Sequence, residues 1–264
     1  MKRIGQLLEQ AEIGPATAPA SGLPIDAVVG GLHAGGLWRI QGPSESGRTT
    51  VALQIARAAA EAGLDTLALF PQQEDDQVAV RMISTMGLVP LHHIRTGSDG
   101  IGDRDRFDAA VARARELPLE VWTWSPAEPA SSVWASLWRE SARRPRVIVI
   151  DDLELLDVEG ADGWPTSPAQ LHHDARVWGW TIIVTTLTPS PGWLSDWFPA
   201  PVPHDWERYS DVLVELDRPD RRGLIERSGE IDMHVLRNRY GPSTTLDLAF
   251  QGHYSRVAAT TRLQ

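Results

Sequence analysis

The sequence contains no cysteine, which excludes disulfides, thiolate metal ligands and cysteine nucleophiles. It also lacks any apolar run of about 18 residues, so we expect no membrane-spanning segment and no membrane partner. No hydrophobic stretch follows the basic start MKRIGQLLEQ, which predicts a short amphipathic helix rather than a secretory leader. These absences favour a cytoplasmic protein.

Basic residues are fewer than acidic ones. The 264 residues carry 25 Lys and Arg against 35 Asp and Glu, a formal net charge of −10, with a pI near 5.2. Such a surface does not attract nucleic acid as a whole, although a local basic patch remains compatible with it. The length and the 42% of hydrophobic residues suit one large α/β domain.

Strand and helix patterns alternate through most of the chain. Apolar strands such as DTLALF and RVIVIDD alternate with helical segments such as EDDQVAVRMISTMG. This alternation predicts βαβ units and a mostly parallel central sheet flanked by helices, and the late segments SDVLVELDRP, IDMHVLRNR and TTLDLAFQG predict antiparallel C-terminal strands. We divide the chain into a short helix at 1–10, an Ala/Pro-rich linker at 11–20, a main domain at 21–257 and a tail at 258–264.

The segment GPSESGRTT, residues 42–50, has the outline of the phosphate-binding loop G-x-x-x-x-G-K-[ST]. It lies between a predicted strand and a predicted helix, where backbone amides and the helix N-terminus favour an anion. Arg48 stands where the pattern has lysine, so the segment alone is equally compatible with a glycine-rich turn. If it is a phosphate loop, its contact residues are Gly42, Ser46, Gly47, Arg48, Thr49 and Thr50.

A carboxylate at the end of a later strand changes that balance. RVIVIDD delivers Asp151 and Asp152 to the carboxyl edge of the sheet, as in the Walker B arrangement that holds Mg²⁺. Thr49 and Asp151 are therefore the expected magnesium residues. Loop and strand together predict a P-loop NTPase fold.

Four segments resemble the C-terminal ATPase domain of DnaB-type replicative helicases, within the RecA-like P-loop group. They are GGLHAGGLWRIQGPSESGRTTVALQIA, DQVAVRMI, RVIVIDDLELL, which is similar to the family's D-Y-L-Q-L segment, and HVLRNRYGPSTTLDLAFQGHYSRV. The resemblance spans about Ser21 to Val257. It implies a ring of subunits with ATP and Mg²⁺ at each interface, and an arginine finger from the next subunit at Arg239, beside Arg237. The alternative is that Arg237 and Arg239 are ordinary surface arginines on an edge strand.

Three catalytic positions depart from the family pattern. Arg48 replaces the lysine of the loop, and Gln72 stands where the family has the glutamate that polarises the attacking water, with Glu74 two residues further on. The sensor glutamine is replaced by Thr186 or Leu187, depending on one residue of register. Because a general base and a phosphate clamp each contribute orders of magnitude in rate, these changes predict very slow turnover or none.

The loops that would face single-stranded DNA are acidic. The segment DVEGADGWPTSP contains no Lys or Arg, and the Trp/Pro-rich loop PSPGWLSDWFPAPVPHDWERYSD, which includes 189–206, contains acidic residues and only one basic residue, Arg208. Single-stranded DNA remains a conceivable partner but is disfavoured, since its binding depends on cationic neutralisation of phosphates. The tryptophans here favour a protein-contact or self-packing surface over base stacking.

Three hypotheses follow. The first is a catalytically degenerate, DnaB-like nucleotide-binding protein, a pseudoenzyme that acts as a homo-oligomer or as the partner of another ATPase. The second is a working DNA helicase with Arg48 as phosphate clamp and Glu74 as base. The third is a protein-interaction module that uses the 189–206 segment and has a vestigial nucleotide site.

Overall fold

The computed structural model describes residues 18–97, 102–123, 146–155, 167–188 and 206–260, together with Ile4. The strands in these ranges are β1 (Leu37–Gly42), β2 (Thr66–Phe70), β3 (Leu119–Thr123), β4 (Val147–Ile150), β5 (Thr181–Leu187), β6 (Val212–Asp217), β7 (Glu230–Asn238), β8 (Thr244–Gln251) and β9 (Arg256–Ala259). The α-helices are α1 (Asp26–Val29), α2 (Arg48–Glu61), α3 (Asp75–Gly87), α4 (Leu91–Thr96), α5 (Asp103–Arg115), α6 (Pro168–Trp178) and α7 (Trp206–Tyr209).

The described strands form one sheet in the order β3-β2-β4-β5-β1-β6-β7-β8-β9. All neighbours from β3 to β6 pair in parallel, and β6 to β9 pair antiparallel. The fold class is therefore confirmed as α/β and RecA-like, with a mostly parallel sheet and antiparallel C-terminal strands.

Helices cover both faces of the parallel part of the sheet, which is why β2 and β4 are buried along their whole length. On one face, Val51 and Ile55 of α2 belong to the same core cluster as Trp38 of β1. On the other face, Leu171 of α6 belongs to a second cluster with Ile182 of β5. None of the helices in the described part of the chain is long and apolar enough to span a bilayer.

The predicted elements agree with the structure wherever it describes them. The helix predicted to stop at Gly87 ends there, and the alternation of Leu246, Leu248 and Phe250 places these side chains on the core face of β8. Sequence reasoning missed the short helices α4 and α7 and the last strand β9. The predicted helix ASSVWASLWRESARRP lies outside the described residues. The division into domains stays a prediction.

Candidate nucleotide-binding site

The loop at 42–50 joins the carboxyl end of β1 to the first turn of α2, and two of its glycines are required sterically. A Cβ at Gly42 would lie 2.5 Å from the Ser46 hydroxyl oxygen and 2.8 Å from the Leu216 carbonyl oxygen. Gly47 has a φ of 98°, and a Cβ there would lie 3.0 Å from the Phe250 ring. The glycines therefore permit the close packing that fixes the loop against β6 and β8.

A buried hydroxyl lies inside the loop. Ser46 is only 1% exposed, and its Oγ has no hydrogen-bond partner among the described residues. A buried polar atom without a partner is costly in a folded protein, and an anion in the loop would supply an acceptor for this hydroxyl. Thr50, three residues after Gly47, is also buried.

The loop contacts the end of β4 through Thr49 and Asp151. The Asp151 carboxylate accepts hydrogen bonds from the Thr49 hydroxyl and, at 2.7 Å, from the Thr185 hydroxyl of β5. Burial, followed by the charge of Asp152, raises the pKa of Asp151 to about 6. Two motifs that lie about a hundred residues apart in sequence are thus in direct contact.

Arg48 does not extend into solvent. One of its terminal nitrogens, Nη2, lies 2.7 Å from Oδ1 of Asp152, and the other donates to the Gly42 carbonyl oxygen. The Arg48 and Asp152 side chains are 10% and 12% exposed, so the ion pair is largely shielded from water. The guanidinium therefore connects the first residue of the loop to the end of β4.

The backbone around Asp152 holds that carboxylate in place. Asp152 adopts a φ of 48°, which is uncommon for a residue with a side chain, and its N–H donates to the Thr185 hydroxyl at 2.8 Å. Two residues further on, Glu154 accepts a 2.6 Å hydrogen bond from the Leu187 N–H, and burial raises the pKa of this glutamate. Three carboxylates therefore cluster at the ends of β4 and β5.

The other predicted catalytic positions have separate environments. Gln72 lies two residues beyond β2 and is exposed, as is Glu74 at the N-terminus of α3. Thr186 accepts a 2.8 Å hydrogen bond from Arg39, and Leu187 is 47% exposed and pairs in register with Gly42. Of the two predicted sensor positions, Leu187 is the one paired with the first residue of the loop, and it carries no polar group.

These residues fit a phosphate group and Mg²⁺. The Thr49 hydroxyl and the Asp151 carboxylate, which are the oxygen types that Mg²⁺ prefers, are already adjacent. The unpartnered Ser46 hydroxyl and the N-terminus of α2 both suit an anion. The one arginine of the loop, Arg48, is paired with Asp152 of the same chain.

The loop lies at the carboxyl ends of the parallel strands, and Arg237 and Arg239 lie at the opposite ends. This is because β7 runs antiparallel to β6 and ends beside Val212, the first residue of β6. Arg237 donates to the Glu207 carbonyl, and Arg239 lies 3.2 Å from the Asp211 carboxylate. Asp211 is fully buried and also accepts from the Leu37 N–H and from Arg176, each at 2.9 Å. Sequence reasoning missed this aspartate, although it ends the segment that precedes β6.

A cation–π pair adjoins the loop from the other side. The Arg218 guanidinium lies 3.9 Å from the centroid of the Phe250 ring, the same ring that packs against Gly47. Asp220 holds Arg218 through two hydrogen bonds of 3.0 and 2.7 Å. Neither Arg218 nor Phe250 was predicted to lie at the site, because the alternating pattern of β8 indicates only that Phe250 packs in the core.

Both acidic segments that disfavour DNA lie mainly outside the described residues, at 156–166 and 189–205. The interpretation of their tryptophans therefore stays a prediction. Trp206, at the end of the second segment, is buried and lies under Arg39 at 5.1 Å, so it belongs to the protein interior.

Known proteins resemble this chain over most of its length. A family model described as the DnaB-like helicase C-terminal domain matches residues 20–168. Over 257 residues the chain is 29% identical to the replicative DNA helicase DnaB of Leifsonia xyli subsp. xyli (strain CTCB07), covering 91% of this chain and 55% of that protein. The chain thus spans about half the length of this curated relative.

Solved structures agree on the fold. A solved ATPase domain superposes with a TM-score of 0.77 at 18% identity, covering 97% of this chain and 96% of its own. A DnaB-like replicative helicase, studied with its primase interactions, gives 0.78 at 18% identity, covering 97% of this chain and 65% of its own. Since the matched family model covers more than half of the residues, the chain belongs to the DnaB-like helicase C-terminal domain family.

Proposed function

We propose that this chain is a DnaB-like, RecA-fold nucleotide-binding protein with weak or absent ATP hydrolysis. It acts as a regulatory or structural oligomeric component, linked to DNA replication or to another ATPase. The observation that carries the proposal is the pairing of Arg48 with Asp152 at 2.7 Å beside an intact Thr49–Asp151 contact. The site retains the groups that bind a nucleotide, whereas the cation that would act on its phosphates is held by the chain itself.

Nucleotide binding would use the loop backbone, the Ser46 hydroxyl and the N-terminus of α2 for phosphate. Thr49 and Asp151 would hold Mg²⁺, which neutralises charge on the phosphate oxygens when it is bound. Three carboxylates, Asp151, Asp152 and Glu154, lie near the one arginine of the loop. This excess of negative charge favours a ligand that arrives together with a divalent cation.

Slow turnover is supported by three side chains. Arg48 is a planar, weakly hydrated cation in place of a compact ammonium. Gln72 cannot accept a proton, and Leu187 cannot donate a hydrogen bond. Positioned bases contribute roughly 10²- to 10⁴-fold in rate, and electrostatic donors contribute a similar amount, so their joint loss removes most of the catalytic effect.

Oligomer formation is supported by the placement of Arg237 and Arg239. The parallel strand β1 has six residues, which separates the two sheet edges by roughly 20 Å. An arginine side chain cannot cross that distance, so neither residue can reach the loop of its own chain. A nucleotide contact by either one therefore requires a second subunit.

The proposed link to replication is supported by two comparisons. One relative is a replicative DNA helicase, and one related structure is a replicative helicase studied with its primase interactions. Because the chain covers about half of that relative, a complete helicase cycle is not assumed for it. The net charge of −10 and the acidic loops argue against strong DNA binding. A cytoplasmic location stays a prediction.

The decisive experiment measures ATP binding and ATP hydrolysis, with and without single-stranded DNA, on wild type and on two variants. Arg48→Ala should reduce ATP binding, and the pair Arg48→Lys with Gln72→Glu should raise the hydrolysis rate by about 10-fold or more. Wild type should bind ATP and hydrolyse it slowly, regardless of DNA. The absence of any affinity at millimolar nucleotide would favour a vestigial site and the interaction-module hypothesis.

A working helicase is the second candidate, and the preserved Thr49–Asp151 contact favours it. In that case Arg48 is the phosphate clamp and Glu74 the base, despite the exposed position of Glu74. Robust DNA-stimulated turnover in wild type, lost in Glu74→Gln, would establish this candidate in place of the degenerate one.

A further inference from the structure

Two departures from the family pattern are in direct contact. Arg48 takes the place of the loop lysine, and Asp152 takes the place of the tyrosine in the D-Y-L-Q-L segment. The two residues are 104 positions apart in sequence, yet their side chains form an ion pair of 2.7 Å. Either residue alone would be a charged side chain without a counter-charge at this place, whereas the two together form an ion pair.

We propose that Asp152 competes with nucleotide phosphate for the Arg48 guanidinium, and that this competition sets the nucleotide affinity of the loop. The inference rests on the proposed function and assigns a positioning role to a carboxylate that would otherwise be counted among the magnesium residues. A phosphate that enters the loop must displace the Asp152 carboxylate from the guanidinium before it gains the full benefit of that cation.

The geometry makes Asp152 an effective competitor. Its backbone is held at a φ of 48° by an N–H bond to Thr185, so its carboxylate does not need to be ordered when the pair forms. The second amino group of Arg48 is bound to the Gly42 carbonyl, and both side chains are about nine-tenths shielded from water. Ion pairs in such surroundings are stronger than exposed ones, because water does not screen them.

The proposal predicts an effect opposite to that of losing a metal ligand. Asp152→Asn keeps the shape of the side chain but removes its charge, so Arg48 becomes available to phosphate and nucleotide should bind more tightly. If Asp152 instead held Mg²⁺, the same substitution should weaken binding. The sign of the change in affinity therefore discriminates between the two roles.

The experiment compares wild type with Asp152→Asn and with a matched control, Asp217→Asn. Asp217 lies at the end of β6, at the same end of the sheet, and pairs with Arg222, whose side chain is 61% exposed, so its substitution removes one negative charge without freeing a shielded arginine. The dissociation constant of ATP with Mg²⁺ is measured by equilibrium dialysis. The rate at which phenylglyoxal modifies Arg48 is measured separately, without nucleotide, by peptide mass spectrometry.

We expect Asp152→Asn to bind ATP about 5-fold more tightly or better, as coupled neighbouring charges allow, and Asp217→Asn to stay within about twofold of wild type. Phenylglyoxal should modify Arg48 several-fold faster in Asp152→Asn than in wild type, and Asp217→Asn should show no such increase. Unchanged or weaker ATP binding in Asp152→Asn overturns the proposal, as does an equal gain in Asp217→Asn.

Failure of the proposed function gives a different result. In that case neither wild type nor Asp152→Asn binds millimolar ATP, although Arg48 modification still accelerates in the variant. This outcome removes the nucleotide role and, with it, the competition for phosphate. It leaves only a structural ion pair.

Discussion

At the scale of single residues, arginine at position 48 has two explanations. Lys2 is the only lysine of the chain, so arginine fills nearly every cationic position and composition alone can account for the exchange. Composition does not account for the carboxylate at position 152 or for its left-handed backbone. The contact between them is therefore the informative feature, because it depends on a specific pair of residues rather than on a general preference.

Gly47→Ala tests whether the loop depends on the Phe250 contact. The substitution places a Cβ at a φ of 98° and at 3.0 Å from the ring, so we expect a loss of about 2 kcal/mol or more in the free energy of unfolding. Gly63→Ala is the control, since Gly63 has a φ of 76° but no atom near its Cβ position. Urea denaturation should rank Gly47→Ala as clearly more costly, and equal losses would contradict the packing argument.

Asp151→Asn should stabilise the metal-free protein at neutral pH. The pKa of Asp151 is about 6 in the folded chain and 3.8 for an unperturbed aspartate, so the folded state binds more protons between these values and loses stability as pH rises through that window. The ionised carboxylate therefore lowers stability at pH 7, and asparagine removes this cost.

We expect thermal unfolding in EDTA at pH 7.5 to show a gain of about 1 kcal/mol or more, roughly 2–4 °C for a domain of this size. The gain should shrink as the pH is lowered to about 4, where the wild-type carboxylate is protonated in the fold. A variant that is less stable than wild type at pH 7.5 would show that the hydrogen bonds of Asp151, rather than its burial, dominate.

At the scale of elements, hydrophobic patterns and turn residues were enough to predict the sheet and its helices. Strands such as VIVI are continuous apolar runs because both their faces are covered, and Gly87 ends α3 as expected. The strand β9 was missed because four residues carry too little periodicity. The contacts of Asp152 and Asp211 were not predictable, since they depend on which strand ends lie side by side in space.

Asp211 links four elements at the edge opposite the loop. It accepts the Leu37 N–H of β1 and contacts Arg176 of α6 and Arg239 beyond β7, while it precedes β6. Asp211→Asn leaves two guanidinium groups without their buried counter-charge, and we expect a loss of about 2–4 kcal/mol in unfolding free energy.

Asp108→Asn provides the comparison for Asp211→Asn, because Asp108 pairs with Arg104 on the exposed surface of α5 and should cost under about 1 kcal/mol. Both variants are measured by urea denaturation at pH 7. If Asp211→Asn is no more costly than Asp108→Asn, then the Asp211 contacts do not hold these elements together.

At the scale of the whole molecule, the two sets of residues that the proposed function uses lie at opposite ends of the parallel strands. The loop, Asp151 and Asp152 lie at the carboxyl edge of the parallel strands, and Arg237 and Arg239 lie at the other. An interface that joins the two edges must be heterologous, and such interfaces close into rings or extend into filaments. Association that depends on nucleotide is the property that this arrangement predicts.

Arg239→Ala should weaken ATP-dependent association by about 10-fold or more, because the arginine is too far from the loop of its own chain and can reach a nucleotide only in a neighbouring chain. ATP binding per chain should remain within about twofold of wild type, since the loop lies at the other edge. Sedimentation velocity with and without ATP measures the association, and Arg104→Ala, on the exposed face of α5, is the control. Association equal to that of wild type would exclude Arg239 from the interface.

The Arg48–Asp152 pair also constrains the evolutionary history of the chain. Replacing Asp152 by the tyrosine of the D-Y-L-Q-L segment would leave a shielded guanidinium without its counter-charge, and replacing Arg48 first would leave a shielded carboxylate in the same condition. A change of either residue alone is thus disfavoured, whichever one changes first. Exchange of either segment with a related gene would separate the two partners, so we expect positions 48 and 152 to have been inherited together.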